Sequence, residues 1–309
     1  YYIRYGYPGD RIYGKIGALD RVNLGYGILV SDYANMMLYP QVRKTGLNFE
    51  YNSKSINIEG FVNDFKENIG LFGGRVVTRK VMGLPIGFSV VMDRNQYLGM
   101  KDSDGDGRPN IVDDFPNDKN WWVDTDGDGI ADNNPDEWDI DGDGITDTID
   151  SRIPGWTSDE VIILDHDIQT KPDPLNVNEE SEDINSFALD VGRNILRDGP
   201  ITLDIYAQYA TLLGKTINPI NGEKESVEYG IIPFGLSAGL GPARFNFEFR
   251  MVPKGKFEFG YFNRSYEIER ATFLSNSQNQ GNLVTKASKL GIFGKQNGFY
   301  SSLNIDLGS

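Results

Sequence analysis

The chain has 309 residues, with 45 acids, 30 bases, one histidine and no cysteine. Seventeen of the acids and two of the bases lie between Asp102 and Asp150, so 28 of each remain elsewhere and the whole net charge of −15 belongs to that segment. No basic surplus exists to neutralise phosphates, which excludes a nucleic-acid partner, and the lack of cysteine excludes a disulfide scaffold and a thiolate metal site.

Glycine (36), tyrosine (16) and phenylalanine (17) are abundant, a composition that favours strands and tight turns over helices. No apolar run approaches the ~18–20 residues of a membrane helix. The chain starts at Tyr1 rather than Met and shows no leader, so it reads as a mature form or an excised piece.

In chain order, Ile12–Leu19 and Val22–Leu29 read as two strands around Asp20-Arg21, weakened by Gly17, Gly25 and Gly27. Ser31–Leu38 reads as a short helical turn. From Arg43 the alternation sharpens. Leu47, Phe49 and Tyr51 share one face; Ile56, Ile58 and Val62 alternate with polar neighbours; Ile69–Lys80 follows. Ile86, Phe88, Val90 and Met92 then alternate with Gly87, Ser89, Val91 and Asp93. Beyond the acidic segment, Thr157–Asp183 is a polar connection, with Val161–Leu164 as a short buried strand inside it. Period two resumes in Phe187–Val191, in Ile201–Tyr209, in Tyr229–Leu240 and most clearly in Ala243–Met251. Ser288–Lys295 and Phe299–Leu307 read as a last hairpin around Gln296-Asn297-Gly298.

Short turns at Asn52–Ser55, Met82–Pro85, Arg197–Pro200, Gly241–Pro242 and Gln296–Gly298 alternate with variable links, the longest being Asn95–Asp183. That is the topology of an up-and-down meander with tight turns at one end and free loops at the other. Charges sit in mid-strand on the polar face (Glu50, Glu59, Asp204, Arg244, Glu248, Arg250), while the other face is apolar and no amphipathic helix is available to cover it. The expected fold is therefore all-β: an antiparallel up-and-down transmembrane β-barrel of about 12 strands, with a soluble sandwich or open sheet as the alternative. These tight-turned strands resemble bacterial outer-membrane β-barrel proteins in general. The resemblance implies the outer membrane of a Gram-negative bacterium and its lipid as partner.

The acidic segment holds three copies of D-x-D-G-D-G. Ca²⁺ takes six to eight oxygens, and a loop supplies them at alternating positions. The first copy offers Asp102, Asp104, Asp106, the Arg108 carbonyl, Asn110 and Asp113. The second offers Asp124, Asp126, Asp128, the Ile130 carbonyl and Asp132, but meets Pro135 at position twelve, so Asp136 stands one residue late. The third offers Asp139, Asp141, Asp143, the Ile145 carbonyl, Asp147 and Asp150. About three calcium ions are expected, with glycines bending the chain around each. This stretch resembles thrombospondin type 3 repeats, whose acidic loops wrap calcium around very little apolar core. An EF-hand fits less well, because no helices flank the loops and position twelve is not Glu.

Other chemistry is thin. Asp165-His166-Asp167 is a lone histidine in a polar loop, and Asp204 and Glu248 read as members of a structural ion network with Arg244 and Arg250 rather than an acid–base pair. Trp121, Trp122 and Trp138 read as a small core between the calcium loops. The expected organisation is barrel over 1–95, calcium-binding insert over 96–156, polar loop over 157–183 and barrel again over 184–309. The expected role is non-enzymatic: a Ca²⁺-stabilised extracellular loop on an outer-membrane barrel, for solute passage or for docking a surface protein or glycan. The alternative is a soluble secreted or surface adhesion module using the same repeats.

Overall fold

Strict alternation places successive side chains on opposite faces of a strand, and eleven segments use it to build one antiparallel sheet. The computed structural model describes every residue except Asn68, Met82, 148–164, 276–280 and 306–309. The predicted ligand Asp150, the predicted strand Val161–Leu164 and the end of the predicted strand at Leu307 lie outside the described residues. The chain divides into two compact units, Tyr1–Gly99 with Glu182–Ser309, and Met100–Ser181. The second unit thus takes in most of the predicted polar loop 157–183 as well as the acidic repeats.

The sheet of the first unit runs β1 (Tyr2–Tyr5), β2 (Ile12–Gly17), β3 (Gly46–Asn52), β4 (Ile56–Val62), β5 (Leu71–Val81), β6 (Leu84–Asp93), β7 (Ile184–Asp198), β8 (Ile201–Leu213), β9 (Tyr229–Leu240), β10 (Ala243–Val252) and β11 (Gln296–Ile305). Each strand pairs antiparallel with the one before it, and β1 and β11 are the two edges. The predicted all-β meander is present, with eleven strands in its sheet where about twelve are expected; closure into a barrel is not seen. The predicted turns at 52–55, 82–85, 197–200 and 241–242 share one end of the sheet. The strand ends joined by the longer connections, 18–45, 63–70, 94–183, 214–228 and 253–295, lie at the other.

Register makes one row of polar residues continuous. Glu50 stands opposite Glu59, Glu59 opposite Arg75, and Arg75 opposite Ser89. Further along, Glu248 stands opposite Gly235 and Tyr300. This polar face is the covered one: Asp190 is 5 % and Glu248 3 % exposed, whereas on the other face Phe88 is 48 % and Leu189 47 % exposed. The usual arrangement of a half-buried sheet, apolar side in and polar side out, is inverted.

Two connections cover the polar face. From 18–45 come Leu19, Ile28, Leu29 and Tyr33; from 253–295 come Phe257, Tyr261, Phe262, Tyr266 and Leu290. They meet Phe61, Leu71, Val91, Ile184 and Leu212 of the sheet in one cluster, each large side chain worth about 1.5–3 kcal/mol of burial. Val30–Ser31 and Phe262–Asn263 join the two connections as a short parallel pair. Where the covering chain reaches the middle of the wall, the wall is glycine. Tyr26 stacks on Tyr206 with centroids 4.1 Å apart; its hydroxyl fills the space a Cβ on Gly192 would take, and the Tyr206 ring does the same at Gly235.

Several charges on this face are paired. Arg75 forks onto Asp190 at 2.6 and 2.9 Å and reaches Glu59 at 2.8 Å. Tyr206 donates to Glu248 at 2.7 Å, and Arg250 meets Glu248 at 2.6 Å. Arg244 has no such partner among the described residues, and Asp204 instead accepts from Asn194 at 2.9 Å. A second network is fully enclosed. Arg270 holds Asp93 at 2.7 and 2.9 Å and Glu67 at 2.8 Å. Lys44 bridges Glu67 and Glu267, Tyr33 donates to Glu267, and Tyr266 donates to Asp93 at 2.7 Å.

Three expectations fail locally. Val22–Leu29 forms no strand; it is a buried irregular stretch touching Tyr33 through a single bridge, with Gly25 and Gly27 at positive φ. Ser31–Leu38 is irregular rather than helical, apart from Ser31 in the short parallel pair and the bridge at Tyr33, and Tyr33 and Ala34 in it are buried. The last hairpin is absent: Ala287–Ile292 is a 3₁₀ helix, and Asn297-Gly298 lies inside β11, opposite Met251 and Arg250. Ten consecutive pairings with β10 outweigh the turn preference of Asn-Gly.

Candidate metal centre

Each acidic repeat folds around its first aspartate. In the first loop Gly105 and Gly107 donate their amides to the two carboxylate oxygens of Asp102 at 2.7 and 2.9 Å. Gly127 and Gly129 do the same to Asp124 at 2.7 and 3.0 Å. In the third loop Gly144 reaches Asp139 Oδ2 at 3.0 Å. Six glycines, Gly105, Gly107, Gly127, Gly129, Gly142 and Gly144, have φ between 74° and 97°, where a side chain would strain the backbone. The third and fifth positions continue the pattern. Asp106, Asp128 and Asp143 donate backbone N–H to Asp104, Asp126 and Asp141 at 3.2, 3.0 and 3.3 Å. Arg108, Ile130 and Ile145 donate to Asp106, Asp128 and Asp143 at 2.6, 2.7 and 2.7 Å. These short-range bonds, rather than an apolar core, set the loop shape.

The aspartates converge. Asp102, Asp104 and Asp106 bring carboxylate oxygens within 4.8 Å of one another, as do Asp124, Asp126 and Asp128, and Asp139, Asp141 and Asp147. Oxygens that share one Ca²⁺ at 2.3–2.6 Å must lie within about 5 Å of each other. Several of them have nothing else to bind. Asp104 Oδ2, Asp113 Oδ2, Asp139 Oδ1 and Asp147 Oδ1 are shielded from solvent and accept no hydrogen bond among the described residues. Nor does any described donor reach the carbonyls of Arg108, Ile130 or Ile145. Hard, anionic and carbonyl oxygens in this arrangement fit calcium.

Electrostatics agree. Burial pushes the carboxyl of Asp113 up, and Asp106 and Asp104 add to the rise against the opposing amide of Phe115. Burial likewise raises Asp147, with Asp141 and Asp139 adding repulsion.

The ninth positions play a different part. Asn110, Asp132 and Asp147 each accept the amide of the second residue of their loop, from Ser103 at 2.8 Å, Thr125 at 2.7 Å and Ile140 at 2.6 Å. Asn110 also donates to Ser103 Oγ, and Asp132 accepts from Thr125 Oγ1. These two therefore staple their loops shut, while Asp147 keeps its second oxygen for the third cluster. Asp136 is exposed and donates its amide to Asn134 at 2.9 Å. Its neighbour Glu137 is buried, and Asp128 and Asp126 add to the rise that burial gives its carboxyl. Glu137 Oε1 accepts the amides of Trp138 and Asp139, both at 2.9 Å.

The return half of the unit is the other feature spacing could not find. Asp165 joins Asp141 and Asp143 in a further cluster, so part of Asp165-His166-Asp167 faces an acidic loop while His166 itself is exposed. Gln169 donates to Asp141 at 3.0 Å, Lys171 to Asp114 at 3.2 Å, and Val177 to the Gly107 carbonyl at 2.8 Å. The segment thus runs back past the third, second and first loops in turn. Val123, Ala131 and Pro109 are buried, and Trp122 packs under Arg108 at 4.0 Å and donates to Asp173 at 3.2 Å.

Comparison with protein-family models, curated proteins and solved structures found no match to this chain.

Proposed function

We propose that the chain is a non-enzymatic outer-membrane β-barrel protein carrying a calcium-stabilised extracellular segment. The observation that carries the membrane reading is the inverted sheet, with charged residues covered and large apolar residues facing outward. Seven consecutive strands, β5 to β11, run ten residues or more, the length that crosses a hydrocarbon core when tilted. Outward-facing Phe187, Tyr209 and Tyr229 form a row of ring contacts near the long-connection end, as in the aromatic belts of such proteins. No helix among the described residues is long and apolar enough to cross a membrane, so crossing falls to the strands. In this reading β1 and β11 meet, directly or through further strands, to close the barrel.

The covered polar face favours surface interaction over solute passage. Connections 18–45 and 253–295 pack on the wall where a pore would need water. The acidic segment then serves as a rigid extracellular surface for a protein or glycan. Asp102, Asp104, Asp106, Asp113 and the Arg108 carbonyl would hold the first ion; Asp124, Asp126, Asp128, Glu137 and the Ile130 carbonyl the second; Asp139, Asp141, Asp143, Asp147 and the Ile145 carbonyl the third. Calcium there neutralises carboxylates that otherwise repel.

Detergent dependence tests the membrane reading. The protein is expected to need detergent or lipid to stay monomeric. A monodisperse, detergent-free species would overturn it in favour of a soluble calcium-repeat adhesion module.

A further inference from the structure

A cavity of about 710 Å³ opens at the tight-turn end of the sheet, beside Pro200, Gly241 and Pro242. Three arginines line it: Arg244 from the start of β10, Arg21 from the first covering connection and Arg264 from the second. Three other guanidinium groups of this unit are matched to acids: Arg75 to Asp190 and Glu59, Arg270 to Asp93 and Glu67, and Arg250 to Glu248. The side chains of Arg21, Arg244 and Arg264 have no ion pair, hydrogen bond or ring contact among the described residues. The acid that lines the same cavity is Asp32, and it accepts from Asn23. Three separate stretches of chain therefore deliver three positive charges to one concavity where Asp32 is the one carboxylate among the described residues.

The backbone is also unusual there. Arg21 and Asp32 both sit at positive φ, 54° and 53°, a conformation uncommon for non-glycine residues and often kept at binding sites. Thr202 and Asn304 add neutral polar groups from the wall. A second cavity of about 330 Å³ shares Asp32, Arg244 and Asn304 and is lined further by Tyr26, Tyr206 and Tyr300.

We propose that this cavity binds a small polyanion through phosphate or carboxylate groups held by Arg21, Arg244 and Arg264. A guanidinium presents two parallel donors that match an oxyanion bidentately. Three of them lining one cavity can share one multiply charged ligand. The ligand's phosphate can come from a soluble molecule or from an anionic lipid headgroup.

The test uses the full chain in detergent micelles, with inorganic pyrophosphate as probe at about 0.15 M salt, where loose surface attraction is screened. Calorimetry is expected to show saturable binding to one site. Arg244→Gln and Arg264→Gln should each weaken it by about tenfold or more, and Lys224→Gln, at the long-connection end, should leave it unchanged. In the unaltered protein, pyrophosphate should protect Arg21, Arg244 and Arg264 from phenylglyoxal, read by mass spectrometry, so the result does not depend on variants folding. A second arm adds phosphatidylglycerol to the micelles. Competition with pyrophosphate assigns the site to a headgroup, and lack of competition to a soluble anion; both support it. Non-saturable binding, binding indifferent to both arginine variants, or absence of protection would overturn it.

Discussion

The two units solve the same problem, holding charged groups in a fixed arrangement, by opposite means. In the first unit, acids and bases are matched inside the fold: Arg270 lies between Asp93 and Glu67, and Lys44 between Glu67 and Glu267. In the second, acids gather with few bases, Arg108 beside Asp106 and Lys171 beside Asp114, and buried oxygens such as Asp104 Oδ2 and Asp113 Oδ2 have no donor among the described residues. A network complete in itself needs nothing from solution. A set of orphaned carboxylates is relieved by a cation, and under the proposed function its order depends on the supply. The difference teaches where each unit is vulnerable.

The largest expected effect is calcium removal. Chelation should raise the rate of proteolysis within Met100–Ser181 by about a hundredfold while Tyr1–Gly99 and Glu182–Ser309 stay intact. Equal cleavage with and without chelator would erase the contrast. Asp104→Ala combined with Asp141→Ala should reproduce the chelated pattern.

Next comes the enclosed network. Arg270→Met strands Asp93 and Glu67 without their main cation and should cost about 3–5 kcal/mol of stability in the first unit, measured by denaturant unfolding, with calcium affinity unchanged. The same network has a pH signature. Burial would raise Glu67, but Arg270 and Lys44 overcome it and hold the carboxyl down at about 2, below its ordinary 4.5. A depressed acid stabilises the fold above its unfolded value. Its contribution should therefore be full above pH 4.5 and be lost as pH falls toward 2, and Glu67→Gln should flatten that part of the stability profile.

A smaller effect sharpens the second unit. Glu137→Gln should weaken calcium binding at the second loop by about tenfold, whereas Asp136→Asn should leave it unchanged. Isothermal titration separates the two. The reverse ranking would restore Asp136 as the late ligand.

Much of this was legible in the sequence because it follows from local rules. Period two in Ala243–Met251 and Ile201–Tyr209 gives those strands and their faces, and tight turns such as Arg197–Pro200 give the meander. The repeated D-x-D-G-D-G gives three loops with their aspartates converged. What stayed hidden depends on contacts far apart in sequence. Val22–Leu29 reads as a strand because it is apolar, yet it is apolar in order to cover the sheet. Asn297-Gly298 reads as a turn, but β10 offers a full ladder to pair with. Pro135 occupies the twelfth position of the second loop, and no fixed spacing shows that Glu137 is buried while Asp136 is exposed. The return segment 165–178 carries no motif; its role comes from lying against loops tens of residues away.

The central claim is that the apolar face of the sheet meets lipid. The absence of cysteine makes single-site spin labelling clean. Labels at Phe88→Cys, Leu189→Cys and Phe234→Cys in proteoliposomes should collide more with oxygen, which concentrates in hydrocarbon, than with a water-soluble nickel chelate. A label at Asn221→Cys, in a connection, should show the opposite preference. Nickel-dominated collisions at all four positions would contradict the account.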